Sequence, residues 1–367
     1  MRVFYDGEIF TTPGYGGVNL VFEELAAGLA DEPAVDVYRF RFPDELASNL
    51  VFGDALYALP KLGGLLRRVD ERLLARRVRR VDPDVYHPSV YRVPESADAT
   101  VVITIHDMIP ELFPEVQGSD RMVTEKRRAL SRADHVVAVS ENTKSDLVEV
   151  AGVDPERVSV VYPAPNPRFR NPPPTDRTVL DGLPDRFLLY VGRRDVYKNF
   201  TTLLEAYAEW GARDDVALVC AGGSASLSDE EEQVVAGADI ESRVFLLGDV
   251  TTDQLHVLYD AALAFAYPSK YEGFGIPPLE AMACGTPVVA SDRASVPEVV
   301  GDAAVLVDPD DPDAVREGLT ASLDEDRRAD LVARGSERVD RFTWDRTCDG
   351  VLDVYEQATR ESVTARR

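Results

Sequence analysis

A chain of 367 residues is too long for one ordinary hydrophobic core and comfortable for two domains. Its 45% apolar content is that of a globular protein, and no apolar run approaches the roughly 20 residues of a membrane span. A net charge of −25 argues against a general nucleic-acid-binding role, because phosphate contacts need basic surface.

The start, Met1-Arg-Val-Phe-Tyr-Asp, reads as a first strand and not as a signal peptide. Gly14-Tyr-Gly-Gly follows, ahead of an apolar-periodic helix from about 18 to 30. Glycines there let a phosphate or an acceptor approach the backbone closely. The stretch fails as a dinucleotide fingerprint, since Gly-x-Gly-Gly lacks the Gly-x-Gly-x-x-Gly spacing. Strands are expected near 2–6, 36–42, 101–106, 135–139 and 158–162 in the first half. Residues 61–80 carry eight cations against two carboxylates, and Leu62, Leu65, Leu66, Val69, Leu73, Leu74 and Val78 recur at helical spacing. A basic amphipathic helix of this kind reads as a membrane-surface element or as a helix packed on its own domain. His87, in Tyr86-His-Pro-Ser, is read at a strand end facing the cleft, a candidate for acceptor binding. His106-Asp107 ends the strand 100–105, where functional loops emerge. Asp107 can orient an acceptor hydroxyl or cap the turn.

Residues 163–174 hold six prolines in twelve positions, which precludes a helix or a central strand and acts as a semi-rigid connector. In the second half, strands are expected near 187–191, 216–221, 243–247, 262–267, 287–290 and 304–307. Strands alternating with helices throughout indicate parallel sheets and an α/β fold, hence two Rossmann-like domains, 1–165 and 166–344, with a cleft between them. Arg193 follows a strand through Gly192, and Lys198 stands near the start of the next helix; two cations beside a helix N-terminus suit a diphosphate. Glu272 and Glu280 lie eight residues apart in Tyr-Glu-Gly-Phe-Gly-Ile-Pro-Pro-Leu-Glu. The prolines suit a first helical turn, so Glu272 falls in the loop after a strand and Glu280 just inside a helix. Carboxylates flanking a glycine-rich bend can accept hydrogen bonds from vicinal hydroxyls of a sugar or ribose. No nucleophile elbow, Cys–His pairing or metal-ligand spacing is found, and Cys220, Cys284 and Cys348 are scattered as in a reduced cytosolic protein.

This segment resembles the Glu-x7-Glu signature of the large retaining glycosyltransferase family (family 4, group 1) that includes sucrose synthases and many mannosyltransferases. The resemblance extends in order from Tyr15-Gly16-Gly17 through Thr104-Ile105-His106-Asp107, Val139-Ser140-Glu141-Asn142-Thr143, Gly192-Arg193 with Lys198-Asn199-Phe200, and Glu280-Ala281-Met282-Ala283-Cys284-Gly285, to Phe342-Thr343-Trp344. It implies the GT-B fold, with a last helix near 345–360 returning to the N-terminal domain. It implies that Arg193 and Lys198 hold the donor diphosphate, Glu272 the transferred sugar and Glu280 the ribose. Gly16, Gly17, Gly273, Phe274 and Gly275 would line the donor site, and His106 would contact the sugar near its reacting carbon. Relatives often carry a basic residue where Asn19 and Leu20 stand here, a departure in the glycine loop.

The expected reaction is a metal-independent, retaining hexosyl transfer from a nucleotide-diphosphate sugar, without a further cofactor. The run from Ile105 to Glu115 resembles mannosyltransferase-like members, which favours GDP-mannose over a UDP-sugar. The acceptor expected is a glycan or a polyprenyl-phosphate-linked glycan, reached from the cytoplasm with residues 61–80 on the membrane face. Alternatives are a nucleotide-sugar epimerase of related fold, a glycosidase using Glu272 and Glu280 as its carboxylate pair, and a non-catalytic nucleotide-sugar binder. Lysine supplies only five of the 40 basic residues (61, 126, 144, 198 and 270). Carboxylates with arginine in place of lysine resemble a halophile's surface, where molar salt cuts the Debye length to roughly 3 Å.

Overall fold

The computed structural model describes residues 1–6, 17–32, 34–39, 63–94, 98–116 and 118–365. Two six-stranded, wholly parallel sheets are present. The first contains β1 (Arg2–Tyr5), β2 (Asp36–Arg39), β3 (Val85–His87), β4 (Thr100–Ile105), β5 (His135–Ala138) and β6 (Val158–Val160), in the order β2-β1-β3-β4-β5-β6. The second contains β7 (Phe187–Val191), β8 (Ala217–Ala221), β9 (Val244–Gly248), β10 (Ala264–Tyr267), β11 (Val288–Ser291) and β12 (Ala304–Val307), ordered β12-β11-β10-β7-β8-β9. Central strands such as β4, β8 and β11 are buried along their whole length, as helices on both sheet faces require, which is why they read as unbroken apolar runs. β3 is the strand that His87 ends; its three residues are too few to show a period that would fix its bounds. Residues 40–42, the end of the second expected strand, lie outside the described residues.

The chain crosses between the sheets twice, and the crossings touch. Pro165 O accepts from Trp344 Nε1 at 3.1 Å, and Tyr162 O accepts from Thr347 Oγ1 at 2.8 Å. Despite its prolines, the connector makes one 3-10 turn, Pro167–Arg170, which buries Phe169 against Tyr259. Helix Trp344–Ala365 then lies against helix Gly17–Gly28 and the first sheet. Its Cys348, Val351, Val354 and Tyr355 share a core with Val3, Tyr5 and Leu25. All three cysteines are free.

The basic stretch forms helix Gly63–Val81. Ala75 and Val78 are buried, and Leu74 and Val81 pack on the core of the first sheet. Leu73 (42% exposed), Arg72, Arg76, Arg79 and Arg80 face outward. Lys61, Leu62 and the side chains of residues 63–71, including Leu65, Leu66 and Val69, lie outside what is described. Among the described residues no helix is long and apolar enough to cross a membrane.

Candidate functional site

In an open parallel sheet, ligands bind where neighbouring strands send their connections to opposite sides. In the second sheet that point falls between β7 and β10, which pair directly although 72 residues lie between the end of β7 at Val191 and the start of β10 at Ala264. The loop after β7 carries Arg193 and Lys198, and the loop after β10 carries Glu272. The topology therefore brings these side chains together. Lys198 Nζ lies 2.7 Å from Glu272 Oε1, with the two side chains 14% and 10% exposed. The ammonium also lies 5.4 Å from the ring centroids of Tyr197 and of Tyr267. Burial, and then the Glu272 charge, push the Tyr267 phenol well above its ordinary pKa, so it stays protonated. Asn199, in the left-handed region at φ 58°, donates its side-chain amide to Pro268 O and Pro309 O. That fixes the turn bearing Lys198 to the loop bearing Glu272. Asparagine tolerates this conformation better than most residues.

Arg193 is 71% exposed and pairs with Asp195 at 3.0 Å, a surface pair of small energetic weight. Its neighbour Arg194 is instead buried against Glu231 and the carbonyls of Ser224 and Ser226. Gly275, at φ 101°, opens helix Ile276–Ala283, which holds Glu280 in a 3% exposed position where Tyr259 donates to its Oε2 at 3.4 Å. Phe274 is not turned toward this cleft. Its ring packs on Tyr162 and Phe342 beside the two crossings, with centroids 6.0 and 5.5 Å away, so only its backbone belongs to the loop. Apolar burial at the domain crossing claims that side chain.

The other wall comes from the first sheet. Gly17 begins its helix so close to Ile276 that a Cβ there would lie 3.3 Å from Ile276 Cδ1. The starts of helices Gly17–Gly28 and Ile276–Ala283 thus meet across the cleft, with their positive dipole ends. Gly16 lies outside the described residues. His106, after β4, stacks edge-on against Phe22 at 6.1 Å, and its Nε2 is buried with no hydrogen-bond partner among the described residues. Burial, and then the Lys126 charge, lower its pKa to about 4. It is therefore a neutral imidazole at ordinary pH. Asp107 Oδ1 accepts from Ile109 N at 3.0 Å, so of its two expected roles the structure displays the turn cap; burial raises its pKa.

His87 corrects the sequence reading. It is fully buried, with Nδ1 2.6 Å from Tyr355 OH and Nε2 2.9 Å from Thr104 Oγ1, and burial drives its pKa to about 3. Both ring nitrogens are committed inside the core, so it offers nothing to an acceptor. Lys126 was passed over. It is 1% exposed, and its Nζ lies 2.7 Å from Glu111 Oε2 and 2.9 Å from Asp107 O, directly beneath the His106 loop. The scarcity of lysine was the one available signal.

Because His106 is already neutral, the ratio of turnover of His106→Gln to that of the wild type should stay constant from pH 5.5 to 8, with nucleotide affinity preserved. A ratio that changes around pH 6.5 would mean that the imidazole titrates there. The sign of the linkage is fixed: a histidine whose folded pKa is depressed costs stability as pH falls from 6.5 toward the folded value.

A two-domain GT-B glycosyltransferase is the class that this fold and cleft define. The chain matches the glycosyl transferases group 1 over residues 179–338 and Glycosyltransferase Family 4 over residues 15–168. It belongs to this family of glycosyltransferases. Among its relatives, O-antigen chain mannosyltransferase B of Escherichia coli is 31% identical over 74% of this chain and 74% of its own length. D-inositol 3-phosphate glycosyltransferase of Salinispora tropica is 35% identical over 70% of this chain and 56% of its own. In fold it is similar to sucrose-phosphate synthase from Thermosynechococcus elongatus, at TM-score 0.75 and 22% identity over 97% of this chain and 98% of that one. It is also similar to HepE of Anabaena in complex with UDP and glucose, at TM-score 0.74 and 19% identity over 97% and 100% of the two chains.

Proposed function

We propose that the protein is a retaining mannosyltransferase that uses GDP-mannose and a glycan or polyprenyl-phosphate-linked acceptor at the cytoplasmic membrane face. The observation that carries the reading is the cluster at the cleft: Lys198 paired with Glu272, two helix starts in contact, and a neutral His106 on the opposite wall. The mannosyltransferase names among the relatives support the sugar. HepE, solved with UDP-glucose, keeps a UDP-sugar as the second reading.

In this mechanism the diphosphate lies between Arg193, Lys198 and the helix N-termini, where charge building up on the leaving group meets fixed cations and dipoles. Glu272 accepts hydrogen bonds from sugar hydroxyls while Lys198 holds its orientation. His106 Nε2 lies free to bond the sugar beside its reacting carbon. The bond from the anomeric carbon to the phosphate oxygen breaks, the acceptor oxygen bonds the same face, and the acceptor proton passes to the departing phosphate oxygen. The protein contributes positioning and electrostatics and needs no covalent intermediate.

Glu280 is assigned to the ribose. Glu280→Ala should raise donor KM with little change in kcat, because a contact present in ground and transition states alike is lost. Unchanged donor KM would remove the assignment. Thermal shift with GDP against UDP tests the donor: stabilisation by GDP is expected, and stabilisation by UDP alone would overturn the mannose preference. The outward-facing Leu73 and arginines of helix Gly63–Val81 supply the proposed membrane contact. Sedimentation with anionic liposomes should carry the protein down; protein remaining wholly in the supernatant would end that part of the reading.

A further inference from the structure

The segment Val139-Ser140-Glu141-Asn142-Thr143 is one of the stretches that carry the family resemblance. It joins β5 to helix Glu141–Glu149 in the N-terminal domain. Ser140 caps that helix by accepting from Thr143 N at 2.9 Å. The same two residues reach the other domain. Ser140 Oγ donates to Gly273 O at 2.5 Å, and Thr143 Oγ1 donates to that same carbonyl at 2.9 Å. One helical turn on, Asp146 Oδ2 accepts from Tyr271 OH at 2.6 Å and from Asn142 Nδ2 at 2.8 Å. Tyr271 OH in turn accepts from Met108 N at 3.2 Å, two residues beyond His106.

Tyr271 and Gly273 are the two chain neighbours of Glu272. Both are held by the N-terminal domain, whereas the carbonyls of Glu272 and Phe274 are held by Ser295 of their own domain, at 2.8 and 2.9 Å. The peptides around Glu272 are therefore gripped alternately from the two sides of the cleft. All three residues of the grip, Ser140, Thr143 and Asp146, lie on one short stretch of the first domain.

We propose that Thr143 and Asp146, with Ser140, are positioning residues that set Glu272 in its working place only when the helix Glu141–Glu149 is docked against the donor loop. The inference rests on the reading of Glu272 as the sugar-binding carboxylate. It differs from a simple adhesion role, because the bonds end on the residues flanking Glu272 and not on distant surface.

The test uses the full chain with Thr143→Val, which keeps the shape and leaves the Ser140 cap, and Tyr271→Phe, which removes the bond to Asp146. Hydrogen exchange of a peptide spanning residues 268–275 reads the grip directly. It should speed up in both variants while the β7–β9 peptides keep wild-type protection; unchanged exchange in the loop would overturn the proposal. Kinetics read the consequence: kcat should fall about tenfold in each variant with nucleotide Kd within about twofold of wild type. Faster loop exchange with normal kcat, or a lowered Tm alone, would reduce the contacts to domain adhesion and also overturn it. A wild type that turns over no nucleotide sugar would count against the functional reading, while the exchange result would still decide the grip.

Discussion

Replacing Lys198 by alanine is expected to lower kcat by about 10²-fold or more. The cation is asked to do two things at once. In the proposed mechanism it faces the place where diphosphate charge develops, and stabilisation of developing charge is commonly the largest catalytic contribution a single group makes. It also holds Glu272 at 2.7 Å in a mostly buried setting, so its removal leaves a carboxylate without its partner. The second effect should appear as a lowered Tm as well, which is why turnover must be compared well below the melting transition. Lys198→Arg should not restore full rate, since a planar fork replaces a point charge seated between two aromatic rings. A near-normal kcat for the alanine variant would reduce Lys198 to a structural partner of Glu272.

Gly273→Ala is expected to be equally damaging, for a steric reason. The φ of Gly273 lies outside the left-handed region, so its backbone alone does not demand glycine. The demand comes from the opposite domain: a Cβ at this position would lie 1.7 Å from the carbonyl oxygen of His106. Both partners are backbone, so no rotamer change relieves the clash. Either the loop withdraws or the domains part, by more than an ångström. A misplacement of that size can cost about 10²-fold, so kcat/KM should fall at least that far while nucleotide binding persists. Wild-type turnover in this variant would show that the contact between His106 and Gly273 is absent during catalysis.

Gly273 marks the border between what the sequence discloses and what it does not. Read from the chain, Gly273 promised backbone freedom for a ligand; in the fold it makes room for the other domain's main chain. The strands were legible because parallel strands buried on both faces are written as short apolar runs between turns. The bounds of β3 were not, because its three residues carry no period; only its end at His87 was read. The residue types of the cleft were legible from motif spacing. Their pairing was not: Lys198 and Glu272 are 74 residues apart, and only the strand order of the second sheet brings them together. His87 was misjudged for a related reason. A strand end says nothing of which side chain it will meet, and its partner Tyr355 arrives from 268 residues away on the last helix. Phe274 reads as part of a ligand loop because it stands between Gly273 and Gly275. Its ring belongs to the domain crossing, a feature that local pattern does not encode.

Incubating the purified protein with GDP- and UDP-sugars and a glycan acceptor, while following nucleotide release and the anomeric configuration of the product, tests the central claim most directly. Acceptor-dependent release from a nucleotide hexose, GDP-mannose first among them, is expected, with an α-linked product that keeps the donor's configuration. A product of inverted configuration would contradict retention. An epimerised donor without transfer, or sugar freed from an unactivated glycoside, would contradict the assignment of this cleft to glycosyl transfer.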